Sequence, residues 1–224
     1  MLLNLILQNY DFIIIAIVIA GFIFSIGFHE FAHAKSAQLL GDPTPAYQGR
    51  VTINPIAHLD PIGTVAMLIA PFGWGKPVQV NPANMGSYPE RKYFLTSICG
   101  PLANVTLAFI CFLVCWGIVI LLNAHALPTN VLTSVFYGFR ILFSLNIVLA
   151  IFNLLPIPPL DGSKIWGVIL PVDMREKFEP FIERYSLFLM ILLIVPIFGS
   201  ESIASIIVSP VTGFITENIF KLIL

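Results

Sequence analysis

From Phe12 to Phe28 the chain is an almost unbroken run of Ile, Ala, Val, Gly and Phe, with no charged side chain in it. A helix needs roughly 20 mostly apolar residues to cross the hydrocarbon of a bilayer. This run can continue through Leu40 before Gly41-Asp42-Pro43 stops it. Further long apolar runs cover Tyr93–Leu122, interrupted at Gly100-Pro101, and Val131 to about Leu155. Two more, Tyr185–Phe198 and Ile203–Leu224, close the chain, and Ile62–Phe72 is apolar but short enough to read as re-entrant. Of the 224 residues, 58% are hydrophobic and 10% charged, with a mean hydropathy of +0.93. Soluble domains carry about a quarter charged residues. These features predict an all-α polytopic membrane protein, residues 1–224 forming one domain, with about five to six transmembrane or re-entrant helices.

Short β-strands are expected on one side of the membrane. Residues 44–60 and 73–92 are polar; Arg50–Asn54 reads as a strand, and Pro77–Pro82 is extended by its prolines and β-branched residues. Pro156 to Gly162 must be non-helical, and residues 171–184 are charged and interfacial. Met1–Asn9 has no basic region, so a cleaved signal peptide is not expected and the first span serves to insert the chain. With the N-terminus outside, Lys35, Arg50, Lys76, Arg91, Lys92, Lys164, Arg175, Lys177, Arg184 and Lys221 fall on the cytoplasmic side. The opposite loops, near 123–130 and 199–202, hold no Lys or Arg, and Arg140 is left at membrane depth. A net charge of −1 points away from nucleic acid and strongly charged partners. Cys99, Cys111 and Cys115 lie in or beside apolar runs and read as packing residues, with no disulfide framework.

His29-Glu30-Phe31-Ala32-His33 ends the first span. On a helix this HExxH spacing puts two imidazoles on one face, one turn apart, where they can grip a single Zn2+, while the glutamate between them can take a proton from a water. A catalytic zinc takes three protein ligands and keeps one position open. Asp161 follows the cytoplasmic end of the Val131–Leu155 span and reaches the same depth as the histidines. On turn chemistry alone a Pro-rich Asp-Gly turn serves Asp161 as well as a metal does; the membrane setting favours the ligand.

These blocks, with Gly100-Pro101-Leu102-Ala103-Asn104 and Asn153-Leu154-Leu155-Pro156 leading to Leu160-Asp161-Gly162, resemble the site-2 protease family of intramembrane zinc metalloproteases over most of the chain. The resemblance implies one Zn2+ per chain on His29, His33 and Asp161, and Glu30 as general base. It also implies that Asn153 steadies the substrate oxyanion, and that Gly100 allows close helix contact while Asn104 adds a polar group near the site. No PDZ or CBS domain of the kind appended in some relatives is expected, giving a minimal catalytic core. Implied partners are transmembrane protein substrates and the lipid bilayer; the implied location is a prokaryotic plasma membrane, with the site facing the cytoplasm.

Several residues keep two readings. Asn104 serves equally as an interhelical hydrogen-bonding residue, while for Asn153 the catalytic role is favoured over that one. His58 is either a gate or extra ligand at the metal mouth or a loop histidine held by Asp60 or backbone. Val78 and Val80 belong either to an edge strand that pairs with unwound substrate or to a structural hairpin with Arg50–Asn54. His125 falls on the far side, away from the site. Two other classes of function compete: an ion-transporting membrane protein, which needs charges spread through several spans, and a catalytically silent relative that binds membrane segments, which predicts a broken motif. A zinc hydrolase acting on lipid keeps the same metal site.

Overall fold

The computed structural model describes residues 11–69, 74–124, 128–198 and 201–224. Asp11 caps the first helix, α1 (Phe12–Leu39), accepting the Ile13 N–H at 3.3 Å, and the chain leaves α1 through Gly41 at φ +105°. A single turn, α2 (Thr44–Tyr47), and a short helix, α3 (Pro61–Ile69), follow. The long α4 (Pro89–Asn123) and α5 (Thr129–Asn153) then cross back and forth, followed by α6 (Asp161–Ile169), α7 (Val172–Arg184), α8 (Ser186–Ile194) and α9 (Ile203–Phe220). Four of these, α1, α4, α5 and α9, are long and apolar enough to cross a membrane. α3 and α8 are not, so the expected set of transmembrane and re-entrant helices is present; part of the 62–72 run lies outside the described residues, as does His125.

α1, α4 and α5 pack as a three-helix core, with α9 against α5. The apolar half of this bundle is built from Cys111, Cys115, Leu132, Phe136, Leu142, Phe143 and Phe220, and the three Phe rings of α5 and α9 meet edge to face. Cys111 and Cys115 are packing residues here, and none of the cysteines is bridged. The polar site occupies the other half.

Three sequence expectations are corrected. Arg50–Asn54 and Pro77–Pro82 form no strands; among the described residues the strands are β1 (Pro196–Phe198) and β2 (Glu201–Ser202), with one isolated bridge between Leu59 and Gly75. In Pro77–Pro82 the prolines withhold ladder donors and side chains take others: Asp42 accepts the Asn81 N–H at 2.7 Å and Glu30 that of Val78. In Arg50–Asn54 the Arg50 N–H donates to the Pro45 carbonyl at 2.9 Å, the Asn54 N–H to Thr52 Oγ1 at 3.2 Å, and the Thr52 carbonyl is 2.9 Å from His58 Nε2. Second, α4 runs straight through Pro101. In hydrocarbon a broken helix strands more backbone groups than the one bond a proline removes. Third, α8 has nine residues and spans about 13 Å, well short of a crossing. β1 and β2 therefore stay on the half that holds the site, where Met190 and Ile194 of α8 line the cavity. α9 then runs antiparallel to α5, with the Thr216 hydroxyl 3.2 Å from Ser144 and Phe220 against Phe136 and Phe143. Lys221 consequently sits at the depth of Arg140, whose guanidinium lies 5.4 Å over the Phe220 ring, and not on the site's side.

Candidate metal centre

α1 turns His29 and His33 toward α4 and α6, and both rings are buried. Each commits its Nδ1 to a fixed acceptor: His29 to Asn104 Oδ1 at 2.6 Å and His33 to the Thr96 carbonyl at 2.8 Å. With Nδ1–H donating, each Nε2 presents a lone pair. The two Nε2 atoms lie 3.0 Å apart, and Asp161 Oδ2 is 3.1 Å from one and 2.9 Å from the other. Asp161 opens α6, directly after the proline-rich run that ends the preceding span. Its other oxygen, Oδ1, meets Lys164 Nζ at 3.3 Å, which directs Oδ2 to the histidines.

The three ligand atoms fit a zinc ion. Bonds of about 2.0–2.1 Å to a tetrahedral ion place ligand atoms about 3.3 Å apart, so the triangle needs only a few tenths of an ångström of expansion. Gly100 keeps that volume open. A Cβ there would lie 2.6 Å from His29 Nε2 and closer still to His33 Nε2. Among the described residues His29, His33 and Asp161 are the one buried His/Cys/Asp/Glu cluster with metal-ligand geometry.

A cavity of about 260 Å³ opens on this triangle. Glu30 lines it, its Oε2 accepting the Val78 N–H at 3.0 Å, and Val78 and Val80 line it as well. Asn153 is at the wall, with its amide donating to the Leu149 carbonyl at 2.9 Å. Asn104 is fully buried and acts on His29. His58 is also fully buried, but its Nε2 bonds the Thr52 carbonyl at 2.9 Å and its ring is not brought to the cavity. Asp60 instead caps α3 through the Gly63 N–H at 2.8 Å.

Sequence reasoning missed the support behind His29. Asn104 Nδ2 donates to Asn146 Oδ1 at 3.1 Å, Asn146 Nδ2 to Ser25 Oγ at 3.0 Å, and Ser25 to the Gly21 carbonyl at 2.8 Å. The chain of donors runs one way, from the imidazole to a backbone carbonyl, and fixes the ring's tautomer. The signal was available: Asn146 is an amide inside an apolar run, where a polar side chain must find a partner. Lys164, Trp74, Met190 and Ile194 also line the cavity and carried no such signal.

A polytopic membrane helix bundle with two histidines, an aspartate and a glutamate around one cavity defines a metallopeptidase-type site. The chain belongs to peptidase family M50, the site-2 protease family, whose model matches residues 17–197. It is 41% identical over 182 residues, 80% of both chains, to YwhC of Bacillus subtilis (strain 168), whose name describes it provisionally as a zinc metalloprotease. Two proteins called Rip2, provisionally named in the same way, are also similar. That of Mycolicibacterium smegmatis is 30% identical, covering 80% of this chain and 67% of its own length; that of Mycobacterium tuberculosis (strain H37Rv) is 29% identical, covering 82% and 68%. No solved structure matches.

Proposed function

We propose that this metalloprotease is a zinc-dependent intramembrane endopeptidase that hydrolyses peptide bonds in or near the transmembrane segments of membrane-anchored proteins. The observation that carries the reading is the meeting of His29 Nε2, His33 Nε2 and Asp161 Oδ2 within 3.1 Å at the end of a membrane-crossing helix, with Glu30 on the same cavity.

His29, His33 and Asp161 hold the ion. Zinc, when bound, polarises the scissile carbonyl and brings the pKa of water down toward about 7. Glu30 takes the proton of the attacking water and returns it to the leaving amine. In this reading Asn153, which lines the cavity, hydrogen-bonds the carbonyl oxygen as charge develops there. Leu149, Phe152, Met190 and Ile194 form apolar walls that suit the side chains of a membrane segment and exclude bulk water. The substrate helix must unwind before its backbone is reachable; the extended segment at 77–82 beside the site offers an edge for the unwound chain.

The active site faces the cytoplasm of a prokaryotic cell in this reading. Nine of the eleven Lys and Arg residues, all except Arg140 and Lys221, flank the half of the bundle that holds the site, which supports this orientation by the positive-inside rule. The test is Glu30→Gln, which keeps the three ligands and removes the base. It should retain zinc, lose cleavage of a single-span reporter protein and trap uncleaved membrane substrates in a pull-down. Parental turnover by Glu30→Gln would remove the base assignment.

A further inference from the structure

The segment from Gly75 to Asn81 crosses the cavity mouth and is pinned along its length. Gly75 bridges Leu59, the Lys76 N–H donates to the His58 carbonyl at 2.7 Å, and the Asn81 N–H donates to Asp42. A Cβ on Gly75 would meet the His58 carbonyl at 3.0 Å and Ile26 at 2.8 Å, so the segment lies directly against α1.

The remaining pin is Arg50. It is 5% exposed and has no carboxylate partner among the described residues. Its guanidinium donates instead to the main-chain carbonyls of Ala57, Lys76 and Pro77, the last at 3.2 Å. A buried cation is tolerated only where its donors are satisfied, and two of these three bonds go to the loop over the cavity. The Pro77 carbonyl belongs to the same peptide group whose N–H, on Val78, holds Glu30 Oε2 at 3.0 Å. One amide therefore stands between a buried guanidinium and the carboxylate beside the metal triangle. Arg50 fixes the carbonyl end of that amide and Glu30 takes the other.

We propose that Arg50 is a positioning residue for peptide hydrolysis, acting through the Pro77–Val78 peptide to fix the Glu30 carboxylate over the cavity. The proposal rests on the reading of Glu30 as general base. Without Arg50 the peptide is free to rotate away and Glu30 loses the donor that sets its rotamer. A displacement of about 1 Å at a catalytic group costs up to about 100-fold in rate, and the loss should appear in kcat because the base acts in the chemical step.

The test compares the full-length, zinc-loaded parent with Arg50→Gln, Val78→Pro and Glu30→Gln in detergent micelles. Turnover of a single-span reporter, zinc content and hydrogen exchange of the Val78 amide are measured. Arg50→Gln should lower kcat by at least about tenfold, with KM within about twofold and zinc content unchanged. Val78 exchange should accelerate in Arg50→Gln, and adding Arg50→Gln to Glu30→Gln should lower the residual rate no further, whereas a purely structural role for Arg50 lowers both backgrounds alike. Val78→Pro removes the same donor with Arg50 intact and should lower kcat likewise, so it decides the matter if Arg50→Gln does not fold. Parental kcat in a folded Arg50→Gln or Val78→Pro overturns the proposal, as does Val78 exchange unaffected by Arg50→Gln or an equal fold-loss from Arg50→Gln in the Glu30→Gln background. Glu30→Gln at parental rate overturns the base reading itself, a different outcome from an inactive Glu30→Gln beside a fully active Arg50→Gln.

Discussion

Replacing Gly100 by alanine adds one carbon at the most crowded point of the metal centre. The new Cβ would stand 2.6 Å from His29 Nε2, against ordinary contact beginning near 3.4 Å, and nearer still to His33 Nε2. The His29 ring would have to retreat by about 0.8 Å and the His33 ring by more, a displacement of the size that costs about 100-fold at a reacting centre. Neither ring is free to do so, because Asn104 and the Thr96 carbonyl hold their Nδ1 atoms at 2.6 and 2.8 Å. Disturbing partners of this kind lowers metal affinity by about 10- to 100-fold, and here the ligands themselves are displaced. Gly100→Ala should therefore weaken zinc at least about 100-fold in a chelator competition and lose reporter cleavage in parallel. The helix should not suffer, since alanine is favoured over glycine by about 1 kcal/mol within a helix. An alanine variant with parental zinc affinity and turnover would refute the claim that Gly100 exists to leave room for the ion.

Three further outcomes follow from the same geometry. Asn104→Leu strands the His29 Nδ1–H and should weaken zinc by about 10- to 100-fold; Asn146→Leu, one bond further back, should weaken it less, and equal effects in the competition assay would contradict the ordered relay. Asp42 is fully buried: burial alone would raise its pKa, yet bonds from Thr44, Asn84 and Asn81 outweigh this and lower it below 3.8. Its stabilising contribution is present above that value and lost as pH falls through the lowered one, so the thermal-stability gap between parent and Asp42→Asn should shrink below about pH 4; a constant gap down to pH 2 would be inconsistent. If unwound substrate pairs with the 77–82 edge, Val80→Pro should abolish cleavage at parental zinc content, while unchanged cleavage would leave the segment a holder of Glu30 only.

Much of the site was legible because its chemistry demands particular residues at particular spacing. His29 and His33 follow from helical periodicity, and Asp161 from the depth at which a proline run ends a span. Crossing helices were legible from the apolar runs of α1, α4 and α5, since a bilayer leaves the backbone few options. What was not legible depended on tertiary partners. Pro101 looked like a break, yet the bundle keeps α4 continuous around it. Arg50–Asn54 and Pro77–Pro82 had strand composition, but the first spends its backbone groups on Pro45, Thr52 and His58, and in the second Glu30 and Asp42 take the Val78 and Asn81 N–H groups. Tyr185–Phe198 and Ile203–Leu224 read as a crossing and return; only the nine-residue length of α8 shows that the first does not cross, so that α9 carries Lys221 to the depth of Arg140. The Asn104–Asn146–Ser25 relay needed three helices in register, which local sequence does not encode.

The most direct measurement is the zinc K-edge absorption spectrum of the purified protein, with metal content determined for His29→Ala, His33→Ala and Asp161→Ala. Nitrogen and oxygen scatterers at about 2.0–2.2 Å, an imidazole signature from two rings and loss of the ion in each variant are expected. Sulfur scattering near 2.3 Å, or full zinc retention by any one of the three variants, would contradict the assignment of His29, His33 and Asp161 as its ligands.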